Sequence, residues 1–390
     1  MGFTSDDDLL TQLTAGKYLR REASKLTAPV HTAGGWHALP VLNGYPNATT
    51  FPATQDLVWH GTDEFSGDGT TILGMLNGGP PGGTATKHLL NVGAMLVAAT
   101  GAPWQAKLVD LCGYYKLSGS NVTGTGSRTC VNADVFTATS SGGLLLNYTN
   151  DYSSGTKVQF SNTGGSLPGN LSVSTDYWIT RASATTAHVS TSYANYIAGT
   201  FVAYSSAGSG TNTMTCFNAR YANGAGCQAF FVVQTAPTAG GPTLSASAYD
   251  STTTATPGTG TRAFQGSVVM NAAANAYAGR IIHSGNAAGN YGPFLPLQGS
   301  DLGIGRINSF TLSAGTAYTG SGVLALCICK PIIDIALPVT GMWCERDLRN
   351  QLPSMPQIQD GACLAWLLFG TGATTTASPF NSTLDFAWGG

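Results

Sequence analysis

The chain has 390 residues, of which 9% are charged, against about 25% in ordinary globular proteins. Its formal net charge is −2 and its 17 Lys and Arg residues form no basic stripe, which excludes a body that binds nucleic acid by neutralising phosphates. Hydrophobic residues make up 43% of the chain, which excludes a disordered Gly/Ser-rich polymer and is enough for one large domain plus a smaller one.

In a folded chain with so few charges, hydroxyl groups, side-chain amides and backbone groups must hydrate the surface. Such a surface suits a permanent assembly, because charges would have to be desolvated at every contact. We therefore expect a homo-oligomer, the plain alternative being an ordinary all-β protein with an uncharged surface. We expect no membrane partner, because no apolar run approaches the roughly 18 residues of a transmembrane helix. Three Asp at residues 6–8 also replace the basic start of a signal peptide.

The first predicted element is a helix over residues 5–25. Ser5 is a suitable N-cap, the Asp residues after it favour the positive end of the helix dipole, and residues 17–25 supply Lys and Arg at the other end. We assign residues 1–27 to an N-terminal helical arm. This arm either reaches a neighbouring subunit or folds back on its own body.

Residues 28–84 are rich in Pro and Gly and predict loops, the clearest at residues 78–83. This run is not a phosphate-binding P-loop, because no Gly-Lys-Ser/Thr follows it. Apolar stretches at residues 88–99 and 106–115 predict strands, although the periodicity leaves a helix open for the first.

Short apolar or β-branched runs then alternate with Gly, Ser, Asn and Pro, which predicts a series of short antiparallel strands. The runs lie at residues 157–160, 177–180, 188–190 and 201–204. We interpret residues 129–216 as a small antiparallel β module inserted into a loop. The surrounding body, residues 28–128 and 217–390, is expected to be a β-sandwich or jelly roll, so the predicted fold class is mainly β with a short N-terminal helix.

The inserted segment also carries recognisable sequence elements. These are VQF at residues 158–160, TGGSLPGNL at 163–171, TDYWI at 175–179, HVS at 188–190 and AGSGTNT at 207–213. The segment resembles a β module that recurs in virion proteins of tailed bacteriophages, on heads, tails and fibres alike. The resemblance implies a virion and leaves the position within it open.

After the module, the pattern predicts further strands and one short helix. The strands are expected at residues 228–234, 268–270, 279–283, 306–312, 322–328, 362–369 and 384–388. The helix is expected at residues 344–351, ahead of Leu352-Pro353. Sequence at residues 291–298, 345–348, 351–353, 360–364 and 384–389 resembles a widespread uncharacterised phage structural protein, which implies an abundant virion protein and fixes no activity.

The eight cysteines contain no C-x2-C pair and predict small buried thiols. Cys327 and Cys329 are two residues apart and are expected on one face of a strand. A disulfide between Cys130 and Cys216, at the neck of the module, is the alternative.

Few residues are candidates for chemistry. His31 and His37 flank a Gly-Gly-Trp run without a nearby acid, the acidic pairs are Asp63 with Glu64 and Glu345 with Asp347, and the module carries Tyr193, Tyr196 and Tyr204. For each, a structural role is the better prediction: surface turns or salt bridges for the acids, packing for the tyrosines. We therefore predict no catalytic, cofactor-binding or metal-binding residues.

Together these features favour a non-enzymatic structural component of a tailed-phage virion, in particular a capsid-surface decoration or cement protein that stabilises the head. Its expected partners are other virion proteins, either the major capsid protein or tail proteins, and its expected location is the virion, assembled in the bacterial host cytoplasm. The alternative is a tail, baseplate or fibre component with a receptor (glycan)-binding role. An enzyme such as a depolymerase is a further alternative, for which the sequence offers no constellation.

Overall fold

The structure is a computed structural model, and its fold is mainly β with one short N-terminal helix and a β-sandwich-like body, as the sequence predicts. It describes residues 3–25, 34–38, 86–97, 103–116, 127–131, 133–148, 152, 154–183, 185–218, 220–221, 224–235, 243–250, 261–263, 268–269, 279–282, 292–297, 301–313, 323–350, 355–359, 362–371 and 379–389. Of the loops predicted at residues 28–84, residues 35–38 form a strand instead, and residues 28–33 and 39–84, with the Asp63-Glu64 pair, lie outside the described residues.

The first layer of the sandwich is a five-stranded antiparallel sheet with the order β1-β22-β3-β19, in which β20 also pairs with β3. Its strands are β1 (Tyr18–Lys25), β3 (Thr86–Leu96), β19 (Cys344–Asp347), β20 (Gln357–Ile358) and β22 (Phe380–Gly389).

The second layer is a six-stranded sheet with the order β16-β12-β18-β4-β21-β2. Its strands are β2 (Gly35–Ala38), β4 (Trp104–Lys116), β12 (Gln228–Thr235), β16 (Ile281–Ile282), β18 (Val323–Leu337) and β21 (Leu364–Gly370). Cys327 and Cys329 of β18 are both buried on one face of this sheet, as predicted.

The two layers pack through alternate apolar side chains. Leu89, Val92 and Leu384 from the five-stranded sheet meet Leu108 and Trp366 from the six-stranded sheet, all nearly inaccessible to water. Buried side chains alternate with partly exposed ones over residues 380–384 of β22, which is the period of a strand buried on one side. The other face of this sheet is covered at one end by the N-terminal segment, whose Phe3 and Gln12 lie next to Gly389. Further along, it carries the partly exposed Asn91 and Thr383.

A third sheet has the order β14-β13-β17-β5, with β15 pairing to β13. Its strands are β5 (Ser127–Val131), β13 (Thr243–Asp250), β14 (Thr261–Ala263), β15 (Val268–Val269) and β17 (Ile304–Ser313).

Six strands between Ala133 and Phe217 close into an antiparallel barrel with the order β10-β7-β6-β11-β8-β9. They are β6 (Ala133–Ser140), β7 (Leu144–Asn147), β8 (Lys157–Thr163), β9 (Tyr177–Ser183), β10 (Thr186–Ser190) and β11 (Thr211–Phe217), and a short helix α2 (Tyr193–Ile197) follows β10. Ala133 pairs with Thr215, so the chain enters and leaves the barrel side by side. That residues 129–216 fold independently of the body stays a prediction.

The barrel core is continuous with the body core. Val158, Phe160 and Met214 inside the barrel belong to the same apolar cluster as Phe231 of β12 and Leu326 of β18. A bridge between Tyr115 at the end of β4 and Tyr152 in the barrel joins the two parts directly. The barrel is thus packed onto the body by buried side chains as well as by its connecting strands.

The helix predicted over residues 5–25 is correct only in its first half. Helix α1 (Asp6–Thr14) begins at the Ser5 cap, whose hydroxyl accepts a hydrogen bond from the Asp8 amide at 3.1 Å. It ends before Gly16, which has a φ of 76°. Residues 18–25 then form β1 because they pair with β22 along their whole length. Phe3 and Leu9 are buried in one apolar cluster with Ala387 of β22, and the Phe3 ring lies 5.4 Å from that of His88, so the N-terminal segment folds back on its own body.

Two other predicted elements are wrong. Residues 344–347 form strand β19 rather than a helix, because they pair with residues 91–94 of β3. Residues 201–204 form no strand: Val202 is buried and its amide donates to Val189 O, while Phe201 stacks on His188 at 4.4 Å. Tertiary contacts explain the apolar character of this run.

Candidate functional site

The face of the five-stranded sheet that carries Asn91 and Thr383, which we call the outer face, has two lateral rows of polar side chains. The first row runs across Asp347, Asn91, Asp385 and Arg20, which are register partners on β19, β3, β22 and β1. The second row, two residues along each strand, runs across Glu345, Gly93, Thr383 and Glu22. Adjacent strands are about 4.8 Å apart, so neighbours within a row are in reach of one another.

The Asp385 carboxylate is the centre of the first row and is 5% exposed. It accepts hydrogen bonds from Tyr18 Oη at 2.7 Å, from Arg20 Nε and Nη2 at 2.7 and 2.9 Å, and from Asn91 Nδ2 at 3.4 Å. Burial raises the pKa of Asp385, but the hydrogen bonds from Arg20 and Tyr18 outweigh it, so the pKa lies below its ordinary value. Burial and the Asp385 carboxylate together raise the pKa of Tyr18.

Asp347 and Arg349 extend this charge network to the edge of the sheet. Arg349 Nε donates to both carboxylate oxygens of Asp347, at 2.9 and 3.0 Å. These hydrogen bonds lower the pKa of Asp347 and raise that of Arg349, to which the charge of Asp385 also contributes. The two pairs, Arg20 with Asp385 and Arg349 with Asp347, therefore belong to one electrostatic unit.

Trp343, just before β19, is the aromatic component of the second row. Its Nε1 donates to Glu345 Oε1 at 2.7 Å, and its ring lies over Gly93, where a Cβ atom would be only 2.6 Å from Cζ2. Glycine at position 93 is therefore required for the indole to lie against the sheet. The ring covers a glycine that has no side chain of its own to pack, a known stabilising arrangement in sheets. Trp343 keeps 37% of its surface exposed.

The outer face is negative overall. Glu22, Glu345, Asp347 and Asp385 supply four carboxylates, and Arg20 and Arg349 supply two guanidinium groups that are already bonded to carboxylates. The face can offer a ligand an aromatic surface and many hydrogen-bond acceptors. It is poorly suited to phosphate or sulfate groups.

A groove of about 680 Å³ lies along the other side of β19, between the ends of the two sandwich layers. It is lined mainly by Trp104, Gln105, Asp334, Cys344, Arg346 and Phe369. Two of its charged side chains already have partners: Asp334 Oδ1 lies 2.5 Å from Lys107 Nζ, and Arg346 Nη1 donates to the Asp334 carbonyl oxygen at 3.0 Å.

A third polar cluster is enclosed in the interior. Arg220 Nη2 and Nε donate to the two carboxylate oxygens of Asp110 at 2.6 and 2.9 Å, and Tyr221 Oη donates to the same carboxylate at 3.0 Å. The Cys363 amide donates the remaining bond at 2.8 Å. Burial and the negative charge of Asp110 raise the pKa of Tyr221. Asp110 is fully buried, so this cluster fastens elements together and is closed to substrates.

The candidate residues from the sequence analysis lie in separate parts of the structure. Glu345 and Asp347 both lie on the outer face, where Arg349 rather than Arg346 pairs with Asp347. Tyr196 is buried, Tyr204 packs against the barrel core, and Tyr193 stacks on Tyr196 at 6.5 Å, so packing explains these tyrosines as predicted. His37 is buried on β2, and His31, Asp63 and Glu64 lie outside the described residues.

The cysteine predictions have a mixed outcome. Cys216 is a buried thiol that takes part in no disulfide, so the alternative of a disulfide to Cys130 is wrong. Buried thiols outside any disulfide are also found at Cys112, Cys227, Cys327, Cys329 and Cys363, as expected for small packing residues. Within the described ranges, no three His, Cys, Asp or Glu side chains are grouped as metal ligands.

Sequence reasoning missed most of the outer face. Tyr18, Arg20, Asn91, Asp385 and Trp343 come from four separate parts of the chain. One signal was present in the sequence: Tyr18, Arg20 and Glu22 are spaced two residues apart. A period of two favours a strand over a helix and would have placed these three side chains on one face.

Comparisons with known proteins identify no relative. No family model matches the chain, and no curated protein matches it. A search of solved structures returns a chain of "Structure of infectious bursal disease virus Gt strain", which is 11% identical, with 80% of this chain and 84% of that chain covered and a TM-score of 0.12. A TM-score this low carries no argument about fold or function. In the part of the chain that the structure describes, no helix has the length and apolar character to cross a membrane.

Proposed function

We propose that this protein is a non-enzymatic structural component of a tailed-phage virion, and within the virion a decoration protein on the capsid surface. The observation that carries the proposal is a group of exposed apolar side chains where the loop at residues 338–343 meets the end of β3. We call this group, Val97, Val339 and Met342, the loop patch.

The three side chains of the loop patch are apolar and yet exposed to solvent. Val339 is 53% exposed, Met342 44% and Val97 39%. The Gly341 amide donates to Leu96 O at 2.7 Å, which holds the loop against the end of β3 and brings the three side chains into one region. Single exposed apolar residues are ordinary, but neighbouring ones on ordered segments are typical of contact surfaces.

The strand next to the patch supports the same function. β19 pairs with β3 on one side, and among the described residues no strand pairs with its other side. An unpaired strand edge offers backbone donors and acceptors to a second chain. A partner seated here would combine backbone hydrogen bonds with apolar contact, the composition expected of a stable assembly in a protein with few charges.

The virion assignment also rests on the resemblance of residues 157–215 to the phage β module. The choice of a head decoration protein over a fibre follows from the absence of heptads or long repeats in the sequence. The partners would be the major capsid protein and further copies of this chain.

The test is to heat phage particles with and without this protein and to follow DNA release at low and at high ionic strength. The proposal predicts a higher release temperature when the protein is bound, with little dependence on salt, because screening acts mainly on exposed charges. Equal release temperatures would exclude a decoration function and favour the tail or receptor-binding alternative. A stabilisation that disappears at high salt would keep the function and refute the apolar contact.

A further inference from the structure

We infer that the outer face binds a neutral glycan chain. Trp343 would be the aromatic platform under a sugar ring, and the second row, from Glu345 to Glu22, would supply the hydrogen-bonding groups. Binding itself is independent of the proposed function. Only the multivalent avidity described below rests on the virion assignment.

The platform is pre-organised. The Trp343 indole is fixed by its bond to Glu345 and by contact with Gly93, so little side-chain entropy is lost when a ligand packs on it. An aromatic ring that is apolar on its face and polar at its nitrogen suits the C–H face of a pyranose, whose hydroxyl groups project around its rim. The 37% of Trp343 that stays exposed is the surface available for this stacking.

The hydrogen-bonding groups lie in line with the platform. From Glu345, the register passes over Gly93 to Thr383 and then to Glu22, across four adjacent strands. The second row is about 14 Å long, because it spans three inter-strand steps of about 4.8 Å each. Carboxylates accept hydrogen bonds from sugar hydroxyls, and the Thr383 hydroxyl can donate or accept.

The first row supplies further contacts beside the second row. Tyr18 is 40% exposed, and its hydroxyl donates to Asp385, so its oxygen can accept from a ligand. The Asp347 side chain is 49% exposed at the same edge as Trp343. Among the described residues, none donates a hydrogen bond to Asn91 Oδ1, which leaves an unsatisfied acceptor beneath the face.

Charge selects the class of glycan. The four carboxylates exceed the two guanidinium groups, and both guanidinium groups are bonded to carboxylates. Uronic acids, sialic acids and phosphorylated sugars would be repelled. Neutral hexose or N-acetylhexosamine chains place only hydroxyl and amide groups on the face. A flat, open site binds a short glycan with low affinity, which repetition over an assembled surface would multiply.

The experiment is a titration of the ¹⁵N-labelled full chain with three hexasaccharides: maltohexaose and chitohexaose as neutral probes, and an alginate hexamer as the anionic probe. The indole N–H resonance of Trp343 is assigned by its loss in Trp343→Phe. We expect at least one neutral probe to shift this resonance and the alginate hexamer to leave it unchanged. Trp343→Ala should weaken binding about tenfold or more, whereas Trp343→Phe should keep most of it.

The matched control is Met342→Ala, which changes the adjacent exposed side chain and should leave glycan binding unchanged. Because the resonance shift is read in the wild-type chain, the result does not depend on whether Trp343→Ala folds. The inference is overturned if neither neutral probe shifts the Trp343 resonance, if binding survives Trp343→Ala undiminished in a folded variant, or if alginate binds more tightly. None of these results bears on DNA release from heated particles, so the failure of this inference and that of the virion proposal are separable.

Discussion

Arg220 holds the carboxylate of Asp110 with two hydrogen bonds in the interior of the protein, where the Asp110 side chain is 0% and the Arg220 side chain 6% exposed. Asp110 lies in the middle of β4, and Arg220 comes three residues after the last barrel strand ends at Phe217. The pair therefore fastens the chain leaving the barrel to a central strand of the six-stranded sheet.

Replacing Arg220 with Ala should lower the free energy of unfolding by about 3–5 kcal/mol, because Asp110 is then a buried charge without its partner. Urea denaturation followed by circular dichroism measures the change. The matched control is Arg349→Ala, which breaks an exposed pair and should cost about 0–1 kcal/mol. Similar losses in the two variants would contradict the assignment of Arg220 as the buried clamp.

Acid should weaken the five-stranded sheet through Asp385. Its pKa is lower in the folded protein than in the unfolded chain, so its stabilising contribution is complete above the unfolded pKa of about 3.9 and is lost as the pH falls through the folded value. Urea midpoints measured between pH 6 and pH 2 should therefore fall less steeply in Asp385→Asn than in the wild type. Identical slopes would show that Arg20 and Tyr18 do not stabilise the ionised carboxylate.

Gly93→Ala should destabilise the protein by about 1–3 kcal/mol through overpacking. The new Cβ would lie 2.6 Å from Trp343 Cζ2 and 2.7 Å from Thr383 Oγ1, so the indole must move away from the sheet. Thermal unfolding and tryptophan fluorescence report the two effects. Gly292→Ala is the control, since a Cβ there meets nothing within 4 Å and both measurements should stay at wild-type values.

Met342→Lys combined with Val339→Lys should weaken assembly, because two desolvated cations would replace apolar contacts at the loop patch. Light scattering of the recombinant protein, and its co-sedimentation with particles that lack it, measure the loss. Leu302→Lys changes a side chain that is 70% exposed elsewhere on the surface and should assemble normally. Assembly unaffected by the double change would remove the loop patch as the contact surface.

Native thiol labelling should separate Cys344 from the buried cysteines. Cys344 is partly exposed, whereas burial raises the pKa of the Cys112, Cys327 and Cys329 thiols and lowers their thiolate fraction. Brief treatment with iodoacetamide followed by peptide mass spectrometry should find Cys344 modified before these three. Early modification of Cys327 or Cys329 would show that the six-stranded sheet opens readily.

Local sequence predicted the elements whose signals are local. Val158 and Phe160 alternate with polar residues and point into the barrel, and the Ser5 cap marks the start of α1. The pattern failed where distant partners decide the structure. β1 is a strand because it pairs with β22, and β19 is a strand because it pairs with β3.

The outer face illustrates the same limit. Arg20 and Asp385 are 365 residues apart in sequence and are brought together only by the register of two strands. Trp343 acquires its position from a glycine on another strand. Composition therefore predicted the kind of fold, while the site required the pairing of strands, which a single sequence does not specify.

The position of Asp110 also determines how mechanical load would pass through the molecule. The two connections of the barrel lie side by side, where Ala133 pairs with Thr215, and the outgoing one is anchored by Arg220 to β4. β4 has hydrogen-bonded neighbours on both sides, β18 and β21. A pull on the barrel would thus be resisted by the two hydrogen-bond ladders of a central strand rather than by one ladder at a sheet edge, so the barrel should stay attached to the body under load.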